Sequence, residues 1–116
     1  MKRTVVLDFD GVIHSYTSGW KGAAIIPDPP VPGIEKAISE IRRAGYEVVV
    51  VSTRCAIDAG KEAVEMWLQK NRIRVDHVMK EKPPAVVYID DRAICFDGNT
   101  SHLLQRIEQF VPWNKR

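Results

Sequence analysis

Two aspartates one residue apart, Asp8 and Asp10, end an apolar run in residues 4–11 (TVVLDFDG) and are followed at once by glycine. A second pair, Asp90 and Asp91, ends the run at residues 85–89 (AVVYI). In an open parallel sheet, ligands sit outside the carboxyl ends of the strands, so acids placed there face a ligand rather than the core. Residues two apart in a strand point to the same side, which sets Asp8 and Asp10 together and Phe9 opposite. Like charges so close repel unless a hard cation or a shared proton relieves them, and the arrangement asks for a divalent metal. Between the pairs, residues 47–51 (EVVVV) end in Ser52, Thr53 and Arg54, and Lys82 precedes the last run by a Pro-Pro turn.

The elements that must hold these groups alternate along the chain. Val/Ile-rich or short apolar runs predict strands at 4–9, 47–51, 75–79 and 85–89, with a short fifth piece at 94–96. Ile34, Ala37, Ile38 and Ile41 recur at helical spacing within 33–44, and Gly45 ends that helix. A second helix is predicted from Asp58, as its N-cap, to Asn71, with Ala63, Val64, Trp67 and Leu68 as a core stripe, and a third over 99–109. Strands alternating with helices of this length specify right-handed βαβ units and a three-layer, doubly wound, Rossmann-like parallel α/β sheet. Residues 11–32 are rich in Gly and Pro, show no helical period, and are read as a flap whose first half forms a hairpin.

With 116 residues, the chain has the size of one domain, residues 1–116, with a single core. No apolar run approaches the roughly 20 residues needed to span a bilayer, and the start MKRTVVLDFD reaches an aspartate too soon for a secretory segment, so the expected location is cytoplasmic, with no membrane partner. Seventeen basic against fifteen acidic residues give a net charge of +2, too balanced to argue for nucleic-acid binding on charge alone; Lys70, Arg72 and Arg74 are read as solvated surface. Cys55 and Cys95 are spaced for neither a zinc site nor a redox pair and are read as reduced thiols, Cys55 lying beside the Ser52–Arg54 loop where oxidation could reach it.

In chain order the polar set Asp8, Asp10, Ser52, Lys82, Asp90, Asp91 resembles the four motifs of the haloacid dehalogenase (HAD) superfamily: an Asp-x-Asp, a Ser/Thr, a Lys and a terminal acidic pair. The resemblance runs from Thr4 to about Phe110. It implies a magnesium-dependent phosphomonoester hydrolase in which Asp8 attacks phosphorus to form an aspartyl-phosphate and Asp10 protonates the leaving oxygen and then activates water. Magnesium would be held by Asp8, the backbone carbonyl of Asp10, and the pair Asp90 and Asp91, with Asp91 favoured as the direct ligand. Lys82, with Lys80 as its rival, would neutralise the nucleophile and a phosphate oxygen, and the Ser52 hydroxyl would bond another. The intervals at 11–32 and 55–81 are too short for a cap domain, so the resemblance is to minimal, capless members whose pocket stays open unless a second copy or a bulky substrate covers it.

Substrate contacts are expected from Thr53, Arg54 and Arg92 and from the flap residues His14, Tyr16, Trp20 and Lys21. Each arginine would serve equally well to bind a second anion or to pair with a nearby acid, and Trp20 would equally anchor the flap. The sequences IDDR at 89–92 and STR at 52–54 resemble those of HAD members that remove phosphate from nucleotides or polynucleotide ends, so the expected partner is a phosphorylated small molecule or a nucleic-acid end. A HAD-like phosphate- and metal-binding module without turnover is the alternative. A receiver-like phosphoacceptor domain is a weaker one, because there the lysine comes last, whereas here Asp90 and Asp91 follow it.

Overall fold

The computed structural model describes residues 3–116, so the first two residues of the expected domain lie outside the described residues. Four parallel strands, β1 (Thr4–Asp8), β2 (Glu47–Val51), β3 (His77–Met79) and β4 (Val87–Ile89), form one sheet in the order β3-β2-β1-β4. The α/β class and the Rossmann-like sheet are as the alternation of elements predicts. In register, Asp8 lies beside Val51 and Leu7 beside Ile89. Ser52 and Asp90, each one residue further on, are thereby delivered to the same edge as Asp8.

The crossovers β1-α1-β2 and β2-α2-β3 step the chain in one direction, and α1 (Ile34–Arg43) and α2 (Asp58–Lys70) pack on one face. There Val5, Leu7, Val48 and Val50 pack with Ile38, Val64, Trp67 and Leu68, and Phe9, Ile13 and Ile73 complete the main core. Val6, Val49 and Val51 form a smaller cluster on the other face with Met79 and Ala85. Side chains alternate across the pleat, so the unbroken apolar runs of β1 and β2 feed both clusters.

The structure departs from the sequence expectations toward the C-terminus. β3 and β4 each begin two residues later than predicted, and the fifth strand at 94–96 does not form; Phe96 is exposed. The third helix, α3 (Leu103–Gln109), starts four residues late because Asp97 and Asn99 accept hydrogen bonds from the backbone N–H groups of Asn99 and Ser101, turns that compete with helix. Asp58 is the first helical residue of α2 rather than its cap, and Ile57 occupies the cap position with no side-chain bond. An acid in the first turn still meets the positive end of the helix dipole.

Residues 11–32 form no hairpin. They are a string of turns closed by single bridges, Asp10 with His14 and His14 with Pro30. The backbone N–H groups of Val12, Ile13 and His14 all converge on the Phe9 carbonyl, turning the chain sharply at the end of β1. Asp28 secures the far end: its carboxylate accepts from the Ser18 N–H and hydroxyl, its N–H donates to His14 Nε2 at 3.1 Å, and its carbonyl accepts from Trp67 Nε1 at 3.3 Å. Among the described residues, no helix is long and apolar enough to cross a membrane.

Candidate active site

At the carboxyl edge of β1, β2 and β4 lies an open cavity of about 430 Å³, lined by Asp8, Asp10, Tyr16, Trp20, Ser52, Thr53, Asp90, Asp91 and Arg92. Asp8, Asp90 and Asp91 each present an oxygen within 4.8 Å of the others. Burial pushes the Asp8 carboxyl up to about 8, helped by its hydrogen bond to Asp91 and by the charges of Asp90 and Asp91. Three hard oxygen donors that repel one another this strongly fit a divalent cation such as Mg²⁺, which would relieve all three at once.

Asp10 has a different place from the one strand alternation predicts. The turn at Phe9 ends the strand, and the Asp10 carboxylate points away from the acidic trio: Oδ1 lies 2.8 Å from His14 Nδ1 and Oδ2 accepts from Arg54 Nε at 2.9 Å. Although partial burial works the other way, these two hydrogen bonds and the adjoining charges hold Asp10 below the usual carboxylate range. His14 Nε2 accepts from the Asp28 N–H, so Nδ1 is the protonated nitrogen and donates to Asp10.

Two expected substrate contacts need correction. His14 is wholly buried, stacked on Phe9 with ring centroids 5.6 Å apart and edge-on to Trp67. Arg54 is also wholly buried: besides Asp10, its Nη1 donates to the carbonyls of Gly22, Ala23 and Ile25 at 2.8, 2.9 and 3.2 Å. Both act on Asp10 and the flap from beneath. The pattern of a histidine four residues after an acid, inside an apolar segment, was the one signal in the sequence for this pairing. Trp20 lies over the Arg54 guanidinium, 4.7 Å from the ring centroid, and remains half exposed toward the cavity. Lys21 is exposed and does not line the cavity.

Ser52 is buried, and its Oγ accepts from the Arg54 N–H at 3.1 Å, leaving its own O–H to donate into the cavity. Lys82 Nζ sits 3.2 Å from Asp90 Oδ2, so its charge falls on the acidic pair rather than directly on Asp8. Lys80 has no such contact. Asp90 also accepts from the Arg92 N–H at 2.8 Å, and with Lys82 this holds its carboxyl low against the effect of burial. Arg92 lines the cavity with an exposed side chain, as does Thr53. Cys55 is a free, buried thiol that burial pushes above its ordinary value, which suppresses the reactive thiolate; Cys95 is free and exposed.

No protein-family model and no curated protein matches the chain. Among solved structures, a chain of the Pnkp1/Rnl/Hen1 RNA repair complex is similar over 70% of this chain at 22% identity with a TM-score of 0.55. A chain from another structure of the Pnkp1/Rnl/Hen1 complex is similar over 97% at 17% identity and 0.57. An MCSG target protein from Vibrio cholerae is similar over 93% of this chain and 98% of its own length, at 21% identity and 0.56. The fold is shared with these solved structures. The chain spans 26% and 36% of the two Pnkp1/Rnl/Hen1 chains, and the third protein, of nearly its own size, has the same fold.

Proposed function

We propose that this HAD-like domain is a magnesium-dependent phosphatase of phosphomonoesters working through an aspartyl-phosphate on Asp8. The convergence of Asp8, Asp90 and Asp91 at the carboxyl edge of the sheet, with the Ser52 hydroxyl beside them, carries this reading. When bound, the cation would supply positive charge that lets Asp8 act as a carboxylate and draws in the phosphate group of the ester. Asp8 Oδ forms a bond to phosphorus as the P–O bond to the alcohol breaks, and the alcohol oxygen takes a proton from Asp10. Water then attacks phosphorus, its proton passes to Asp10, and the Asp8–phosphorus bond breaks to release inorganic phosphate. Asp10 rests as the ionised base, so the proton it gives to the first alcohol is one brought in by a monoanionic ester. Ser52 donates to a non-bridging oxygen, and Lys82 tempers the charge of Asp90.

The substrate class is a nucleotide or a polynucleotide end. Trp20 and Tyr16 stand at the mouth of the open cavity, and the exposed face of Trp20, whose other face is fixed on Arg54, offers a stacking surface for a base. The likeness to a chain of an RNA repair complex supports the same direction. The flap and α2 leave the cavity uncovered, which suits a bulky substrate or a second copy of the chain as its cover.

Phosphate release by wild type and Asp8→Asn, with magnesium or EDTA, tests the proposal on a panel of nucleotides, sugar phosphates and 3′- and 5′-phosphorylated oligonucleotides. Release that requires both Asp8 and magnesium, fastest on the nucleotide members, is expected. Metal binding without release from any ester would instead make the domain a binding module.

A further inference from the structure

At the opposite end of the sheet from the acidic trio, the last turn of α1 and the chain leaving α2 enclose a cavity of about 350 Å³. Four guanidinium groups line it, those of Arg42, Arg43, Arg72 and Arg74. Of the two carboxylates in its wall, Asp76 is already engaged: it accepts from Arg42 Nη2 at 3.0 Å and from the Val48 N–H at 2.8 Å. Among the described residues, no ion pair involves Arg43, Arg72 or Arg74. A fifth cation, Arg3, lies 4.7 Å from the ring centroid of Tyr46, another wall residue.

Backbone geometry gives a second, independent pointer. Both helices end here in the same hydrogen-bonded motif. After α1, the N–H groups of Gly45 and Tyr46 return to the carbonyls of Arg42 and Ile41 at 3.0 and 3.4 Å; after α2, those of Arg72 and Ile73 return to Gln69 and Leu68 at 3.0 and 2.9 Å. This motif demands a left-handed residue at its pivot, where glycine is the unstrained choice. The first copy has Gly45 at φ 96°, whereas the second has Arg72 at φ 59°. The chain thus holds an arginine in a conformation that glycine adopts at lower cost, and strain of this kind persists where the side chain is needed. Favourable interaction with the helix C-terminus accounts for basic residues in the turns, but Arg42, Arg43 and Lys70 already occupy the last turns of the two helices, and a cation at the strained pivot adds to what those ends require.

We infer that this cavity is a second anion site, separate from the phosphoryl-transfer site, that takes a compact polyphosphate, either free or at the end of a nucleotide. Arg72 and Arg74, with no side-chain hydrogen bond among the described residues, and Arg43, held only by the Ser39 hydroxyl at 3.5 Å, favour an anion with many oxygens over a single carboxylate. A concave volume of this size suits a small ligand rather than an extended strand.

Calorimetric titration of the Asp8→Asn protein in EDTA with inorganic triphosphate and with ATP, repeated in Arg72→Gly and Arg74→Ser backgrounds, tests the inference. Saturable binding is expected, weakened about tenfold or more by each arginine substitution. Arg72→Gly should at the same time raise the urea midpoint, since it relieves the strained pivot, so a loss of binding there cannot come from unfolding. In the otherwise wild-type chain, the same substitution should leave metal-dependent phosphatase activity unchanged. Equal affinity for the two probes makes the phosphates the whole ligand, and tighter ATP binding adds the nucleoside. Absence of saturable binding, or affinity unchanged by Arg72→Gly, overturns the inference, as does binding confined to oligonucleotides, which would make the arginines a surface that tracks a backbone.

Discussion

Arg54 Nε donates to Asp10 Oδ2 at 2.9 Å while the Nη1 of the same guanidinium holds the carbonyls of Gly22, Ala23 and Ile25. One buried side chain therefore orients the acid–base candidate and anchors the flap that borders it. The two tasks are coupled through a rigid planar fork, so displacing the flap must disturb Asp10.

Removing that fork strands a partly buried carboxylate and three carbonyls. Arg54→Met should cost about 3 kcal/mol or more, the range expected when one partner of a buried pair is deleted, seen as a lower urea midpoint. Limited proteolysis should then cut within 20–27 faster in the variant than in the wild type. A variant as stable and as resistant as the wild type would show that Arg54 does not hold the flap.

Gly60 in α2 supports the same loop from the other side. A Cβ there would lie 1.9 Å from the Arg54 carbonyl oxygen and 2.8 Å from its carbon, which are backbone atoms with little freedom to move. Helix propensity alone favours Gly60→Ala by about 1 kcal/mol, whereas overpacking typically costs about 1–3 kcal/mol. The contact is so close that steric cost should win, giving a net loss of about 2 kcal/mol by denaturation together with reduced turnover as Ser52 and Arg54 shift. Stabilisation by this substitution would mean that the loop yields freely.

The sequence made the sheet and the convergence of Asp8, Ser52, Asp90 and Asp91 legible, because valine runs set the strands and the first polar residue after each strand must reach the same edge. It did not make Asp10 legible. Alternation placed its carboxylate with Asp8, but three N–H groups converging on the Phe9 carbonyl end the strand one residue too early for that rule to apply. His14, and Arg54 in its reading as a substrate contact rather than a partner of an acid, were misplaced for a related reason: polar residues near a site are read as facing it, whereas these two satisfy buried partners. At Ile94–Phe96 an apolar triplet suggested a strand, yet it pairs with neither edge of the sheet, and local Asx turns follow it instead.

Gly11 abuts the acidic trio at Asp91. At φ +84°, an added Cβ would fall 2.1 Å from Asp91 Oδ2. The obstructed group is the end of a side chain, so Gly11→Ala should leave the fold standing at a cost of about 1–2 kcal/mol, mainly from the left-handed backbone. Asp91, however, must turn away from Asp8. Magnesium affinity should drop at least tenfold in calorimetric titration, out of proportion to the stability change. Unaltered affinity would remove Asp91 as a ligand and leave Asp8 and Asp90 to hold the cation.

The crowding of the trio also sets a pH dependence. Without a cation, Asp8 titrates near 8, against 3.8 for an ordinary aspartate, so between those values the folded chain binds more protons than the unfolded one and stability falls as pH rises. Asp10, Asp28 and Asp90 are shifted the other way; they stabilise above the ordinary aspartate value and that contribution is lost as pH falls below it. In EDTA, urea denaturation should therefore show greatest stability near pH 4–5 and a decline toward pH 8. Asp8→Asn should flatten the decline, and saturating magnesium, which binds the ionised trio, should raise stability most at the alkaline end. A metal-free protein whose stability is level or rises from pH 5 to 8 would show that the three carboxylates do not repel one another as their spacing requires.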